Sequence, residues 1–263
     1  MSGLRLRQVC LADAALEPAV ADLRAIFAVE VGVRDYHVDI YGLSNAVLPF
    51  GADFIEIVAP AADDTAVGRF LQRGDARGAY MAIFQCDDPE RRQDRAERLG
   101  VRTPHVIDRP DYRNVQLHPK DGRATILEFA RSAGEDDDWW PAGPDWRQYA
   151  DADDAHARIA GLEIASPDPE GLAAHWAAIL DVAVERCGTA PTLVIGGRTL
   201  SFTEGVPERV AALSVAVADP EKALAIARAR GRLVRAGRFA LAGVDFHPVA
   251  HDLRRPHEGE AAA

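Results

Sequence analysis

Tyr80-Met-Ala-Ile-Phe-Gln-Cys-Asp-Asp-Pro89 holds a whole folding unit in a short span. An apolar run suited to a strand meets an aspartate, then a proline, then a helical pattern that continues to Leu99. Asp88 can cap the free N–H groups of that helix. Pro89 loses nothing at the first helical position, where no partner awaits its missing N–H. The same plan returns three times. Gln8-Val-Cys-Leu-Ala leads into a helix near Glu17 to Phe27. Gly161-Leu-Glu-Ile-Ala-Ser-Pro-Asp168 leads into one over Pro169 to Leu180. Ala212-Leu-Ser-Val-Ala-Val-Ala-Asp219 leads into one over Pro220 to Arg230. Repetition of this kind signals a duplicated architecture. Gly100 and Gly231 follow two of the helices, as left-handed C-terminal caps should.

Strand candidates follow each helix. Tyr41 to Phe50 and Phe54 to Ala59 flank the short turn Gly51-Ala52. Val115 to His118 and Thr125 to Ala130 flank Pro119-Lys-Asp-Gly122. Thr192 to Ile195 and Thr199 to Phe202 flank Gly196-Gly197, a strong hairpin signal. Arg238 to Ala242 and Val244 to Val249 close the last unit. Each half thus holds two units. The expected division is a first domain over 1–131, a linker over 132–154, a second domain over 155–250 and a frayed tail over 251–263. The linker carries an acidic run, Glu135 to Asp138, and Trp139, Trp140 and Trp146. Tryptophans are costly to leave in water, so they are expected to pin the linker onto a domain face or a dimer interface.

The chain has 263 residues, 48% hydrophobic and 27% charged, with a net charge of −11. That balance disfavours nucleic acid and anionic membrane as partners. No apolar run is long enough to cross a bilayer, and no secretory h-region follows Met1, so the cytoplasm is the expected compartment. Cys10, Cys86 and Cys187 are odd in number and far apart, and read as reduced thiols.

Paired βαβββ modules of this kind resemble the vicinal oxygen chelate superfamily, which includes glyoxalases, bleomycin-resistance proteins and dioxygenases. Val115-Gln-Leu-His-Pro-Lys-Asp-Gly-Arg-Ala-Thr-Ile-Leu-Glu-Phe129 is similar to the last hairpin of glyoxalases and methylmalonyl-CoA epimerases. Phe54-Ile-Glu-Ile-Val58 is similar to the matching strand of the first module. The resemblance implies an α+β fold: paired modules forming curled mixed sheets around an open cleft, duplicated as two domains. It also implies metal ligands on the first and last strand of each module. Carried over by position, these are Gln8 and Glu56, then Tyr80 and Glu128. Histidine is common at the two first-strand positions, and here they are glutamine and tyrosine. The cofactor implied is a divalent metal, Mg²⁺, Mn²⁺, Ni²⁺ or Zn²⁺. An oxygen-only donor set suits the first two best. In the second half the first-strand positions are Gly161 and Ala212. The closing strands offer Thr203 or Glu204 and Phe246 or His247. That half is expected to be a structural or lid-forming repeat.

Strand alternation sets Glu56 and Glu128 on the face opposite their apolar neighbours, where each lines a cleft or simply meets solvent. Their matching places in two repeats favour the cleft, as ligands or as a general base. Tyr80 reads first as a wall residue and second as a group that orients a substrate oxygen. Asn45 shares a face with Val47, which should oppose Glu56. His118 is a candidate substrate contact whose plainer role is to hold its turn. No nucleophile elbow, phosphate loop or His-Glu-x-x-His is present.

Two functions follow for a small-molecule substrate. One is a glyoxalase-like isomerase, epimerase or lyase. Its metal, held by Gln8, Glu56 and Glu128, would chelate vicinal oxygens while Glu128 or Glu56 moves a proton. The other is a metal-free protein that sequesters a small apolar ligand. A ring-cleaving iron dioxygenase needs two histidines and a carboxylate, which these positions do not supply. Monomer and homodimer both remain open.

Overall fold

The computed structural model describes residues 3–74, 77–134, 138–150 and 157–250. The acidic run at 135–137, the linker residues 151–156 and the tail at 251–263 lie outside the described residues. The first half runs β1 (Arg5–Ala12), α1 (Leu16–Phe27), β2 (Val33–Arg34), β3 (Leu43–Phe50), β4 (Asp53–Pro60), α2 (Ala66–Leu71), β5 (Met81–Gln85), α3 (Pro89–Arg98), β6 (His105–Asp108), β7 (Tyr112–Gln116), α4 (Pro119–Gly122) and β8 (Ile126–Ser132). The second runs β9 (Ala157–Ser166), α5 (Pro169–Leu180), β10 (Glu185–Cys187), β11 (Ala190–Ile195), β12 (Arg198–Glu204), β13 (Arg209–Val217), α6 (Pro220–Ala229), β14 (Val234–Arg235), β15 (Arg238–Leu241) and β16 (Val244–Ala250).

Two eight-stranded mixed sheets result, with one topology: β2-β3-β4-β1-β5-β8-β7-β6 and β10-β11-β12-β9-β13-β16-β15-β14. In each module the first strand lies parallel to the last, as β1 with β4 and β5 with β8. A parallel neighbour needs a crossover, which the helix and outer strands supply. The modules of a half join antiparallel, β1 with β5 and β9 with β13. This is the duplicated α+β architecture expected from the repeats.

The caps form as the sequence requires. Asp88, Asp168 and Asp219 each accept an N–H three residues on, from Arg91, Gly171 and Lys222. Gly100 and Gly231 take φ +75° and +81° behind their helices.

The hairpin after α3 departs from expectation. β7 stops at Gln116, because His118 caps a helical turn whose first residue is Pro119. Short edge strands β2, β6, β10 and β14 complete the sheets.

One hydrophobic core runs through both halves. Phe27 of α1 packs 5.5 Å from Phe50 of β3 and 5.7 Å from Phe246 of β16. Helix α1 lies against α6, and α3 against α5. Charged pairs cross the same boundary. Asp53 meets Arg198 at 2.5 Å, Asp22 holds Arg230 and Arg232, and Glu208 meets Arg123. No described helix is long and apolar enough to cross a membrane.

Candidate functional site: a cleft on the first sheet

Alternation sends Val9 and Leu11 of β1 into the shared core and turns Gln8, Cys10 and Ala12 to the opposite face. The register sets Val47, Glu56, Cys10 and Met81 side by side across β3, β4, β1 and β5. A second row joins Phe54, Gln8, Ile83, Glu128 and Gln116. Above these rows lies a cavity of about 680 Å³ that Gln8, Asn45, Glu56, Tyr80, Tyr112 and Glu128 all help to line. The two glutamates thus converge in one concavity, 8% and 2% exposed.

Each carboxylate is held by amide side chains. Asn45 Nδ2 donates to Glu56 Oε1 at 2.6 Å, and Gln8 Nε2 donates to Glu56 Oε2 at 2.8 Å. The Cys10 thiol also donates to Glu56. Tyr112 Oη donates to Glu128 Oε1 at 2.9 Å, and the side chains of Gln116 and Asn114 hydrogen-bond the same carboxylate. The arrangement repeats between modules. Asn45 sits two residues before Val47, which pairs with Glu56, and Asn114 sits two before Gln116, which pairs with Glu128. Each asparagine oxygen accepts a backbone N–H, from Tyr36 at 3.2 Å and from Ile107 at 2.9 Å.

Burial raises both carboxyl pKa values, and the hydrogen bonds pull against it. Glu56 is pushed above its ordinary value. Glu128, with Glu56 as a neighbouring negative charge, is pushed up to about 7. Burial also drives Cys10 and Tyr112 well up, and Tyr80 up to about 12. At neutral pH these thiol and phenol groups stay protonated, while Glu128 titrates.

The tryptophans of residues 138–150 close one side of the cleft, so they cover a domain face. Trp139 Nε1 donates to Gln8 Oε1 at 2.6 Å. Trp146 packs edge-on against Phe54 at 5.0 Å. Trp140 stacks on Tyr112 at 4.8 Å and on His37 at 4.7 Å, forming an aromatic wall at the mouth.

Gln8, Glu56, Glu128, Asn45 and Tyr80 are therefore brought together. His118 is not brought together with these residues. It lies outside the cavity, where its Nδ1 accepts from the N–H of Lys120 and caps α4. Tyr80 lines the cavity but is not the counterpart of Gln8. Gln8 stands two residues before Cys10, the partner of Glu56. The residue two before Ile83, the partner of Glu128, is Met81. Counted back from the helix caps Ala15 and Asp88, Gln8 and Met81 both stand seven residues earlier. Tyr112, Asn114, Gln116 and Trp139 escaped the sequence reading. The spacing Asn114-Val-Gln116 echoes Asn45-Ala-Val47 and was the available signal.

The donor set does not fit the divalent ion expected from the sequence. An indole N–H can only donate, so Trp139 fixes the oxygen of Gln8 away from Glu56 and leaves the NH₂ facing it. The fourth position is a thioether, a poor ligand for hard cations. Both oxygens of Glu56 already accept amide donors. Among the described residues, no three His, Cys, Asp or Glu side chains gather as a metal site.

The second sheet lacks the pair. Its register puts Ser201 where Glu56 stands and His247 where Glu128 stands, so Thr203 and Glu204 are not the counterparts. At the place of Gln8, a Cβ on Gly161 would lie 2.1 Å from the carbonyl oxygen of Thr199.

The family model described as "Glyoxalase-like domain" matches residues 9–180. Ethylmalonyl-CoA/methylmalonyl-CoA epimerase of Cereibacter sphaeroides is 26% identical over 129 residues, 48% of this chain and 96% of that protein. A hypothetical protein from Staphylococcus aureus superposes with TM-score 0.63 at 11% identity, covering 94% of this chain and 99% of that one. A variant of 4-hydroxymandelate synthase from Streptomyces coelicolor superposes with TM-score 0.62 at 16% identity, covering 88% and 76%. These two structural likenesses show the shared fold.

Proposed function

This chain belongs to the glyoxalase-like domain family, and on that premise we propose that its first-half cleft moves a proton at a carbon beside a carbonyl. The reaction is of the isomerase or epimerase type. The observation that carries this reading is Glu128, a buried carboxyl in a substrate-sized cavity whose pKa is pushed up to about 7. A proton carrier works best when its pKa lies near the working pH. Glu56, ionised, removes the α-proton and leaves an enolate. Glu128, protonated, returns a proton to the other face. Glu56 is left holding the proton taken from the substrate and Glu128 is left ionised, and exchange with solvent resets the pair. Tyr80, its phenol protonated at neutral pH, can donate a hydrogen bond to the carbonyl oxygen. No step needs a metal.

The test is deuterium incorporation from D₂O, read by mass spectrometry. The panel is acyl-CoA thioesters and simple ketones, with and without a second carboxylate. Exchange by the wild type that falls at least a hundredfold in Glu128→Gln is expected. No exchange across the panel, or exchange untouched by Glu128→Gln, defeats the proposal.

One observation favours a second reading, a metal-free binding protein. The side-chain amides of Gln8 and Asn45 are engaged by Glu56 and unavailable to stabilise an enolate oxygen. In that case a ligand would raise the melting temperature without turnover.

A further inference from the structure

The cavity is graded from floor to mouth. The floor is made by Gln8, Asn45, Glu56, Glu128 and Asn114, all buried, with apolar Val58, Met81 and Ile83 between them. Its amide donors already point at the two carboxylates. Among the described residues, the positively charged or titratable basic side chains that line the cavity are Arg109, His37 and His105. Arg109 and His37 are exposed, and His105 is half-buried, bonded to Tyr41 Oη at 3.0 Å. Arg7 is buried nearby, but its guanidinium lies over the rings of Phe54, Trp139 and Trp146 and acts on Asp53. Among the described residues the floor therefore offers an anion no cation and no free amide pair, and above neutral pH the Glu128 carboxylate opposes it beside Glu56.

We infer that the end of the ligand that reaches this floor carries no carboxylate or phosphate: it is an uncharged carbonyl-bearing group on an apolar body. This deepens the proton-transfer reading and rests on it for the carbonyl. Its charge selectivity is measurable without turnover. Any anionic part of the molecule belongs at the mouth, beside Arg109, His37 and His105. The cleft would then discriminate against a malonyl-type acyl group with its second carboxylate.

The experiment uses the full chain and two isosteric probes, 3-phenylpropanamide and 3-phenylpropanoate, titrated at pH 8 with tryptophan fluorescence as the readout. The amide is expected to bind at least about tenfold more tightly than the carboxylate. Glu56→Gln combined with Glu128→Gln should narrow that gap to about threefold or less by admitting the carboxylate. Glu128→Gln alone, closer to the native shape, should narrow it in part. Carboxylate binding as tight as amide binding in the wild type overturns the inference, as does no binding of either probe. Amide-selective binding without deuterium exchange keeps the inference and removes the proton-transfer reading. Exchange of a malonyl-type substrate does the reverse.

Discussion

Trp139 and Gln8 are separated by 131 positions in the chain and joined by a 2.6 Å hydrogen bond inside the cleft. The indole decides which end of the amide faces Glu56. Trp139→Phe keeps a six-membered ring but loses the pyrrole part with its donor, leaving a small void and Gln8 Oε1 buried and unpaired. The expected cost is about 1–3 kcal/mol in urea unfolding. A loss below about 0.5 kcal/mol would mean that the contact orders nothing.

Glu128 links stability to pH. Its folded pKa of about 7 lies above the ordinary carboxyl value, so the folded state binds more protons than the unfolded chain between them. The stabilisation is fully present below the unfolded pKa and is lost as pH rises through 7. Glu56, also raised, acts with the same sign. The melting temperature should fall from pH 5 to pH 8, and Glu128→Gln should flatten that slope. An equal slope in the variant would refute the assignment.

Tyr112 stabilises the ionised form of Glu128 by donating to it. Removing the hydroxyl in Tyr112→Phe should move the Glu128 titration upward, by about one unit. Infrared titration of the carboxyl band reads this directly, and the pH profile of deuterium exchange should shift in parallel. A downward or absent shift contradicts the role.

Asp53 is buried, and burial raises its pKa even though Arg198 opposes the rise. Arg198→Met removes the hydrogen-bonded partner of that carboxylate, leaving it the more distant charges of Arg7 and Arg5, and should cost about 3 kcal/mol at pH 7. The deficit should shrink as pH falls and Asp53 protonates. A deficit that is constant with pH would point to lost packing instead.

A divalent ion should contribute little. Dialysis against a chelator, then addition of Mg²⁺ or Mn²⁺, should leave the melting temperature within about 1 °C, because a ligand stabilises only by binding the folded form. A clear, saturable rise would restore Gln8, Glu56 and Glu128 as ligands.

Much of this architecture was legible in the sequence because its signals are local. Asp88-Pro89, Asp168-Pro169 and Asp219-Pro220 mark helix starts by chemistry that acts within one turn. Glu56 and Glu128 were legible as a pair because alternation fixes their face and repetition fixes their place. What escaped depends on register and long-range contact. Ala15 caps α1 without a side-chain acceptor, so β1 lacks the landmark that Asp88 gives β5, and Tyr80 stood in for Met81. His118 looks like chemistry in a string of letters but acts as a cap. Edge strands such as Val33–Arg34 are too short to show periodicity. Nothing local announces that Trp139 will reach Gln8, and that one bond weakens the case for a metal.

The aromatic strap after β8 also bears on how this protein can be cut and recombined. A fragment ending at residue 132 would keep every strand of the first sheet, yet Gln8 would lose its indole and Phe54 would lose Trp146. Asp53 would meet water without Arg198. A transplantable cleft therefore extends at least through Trp146, and even then it needs a substitute for the arginine contributed by the other half.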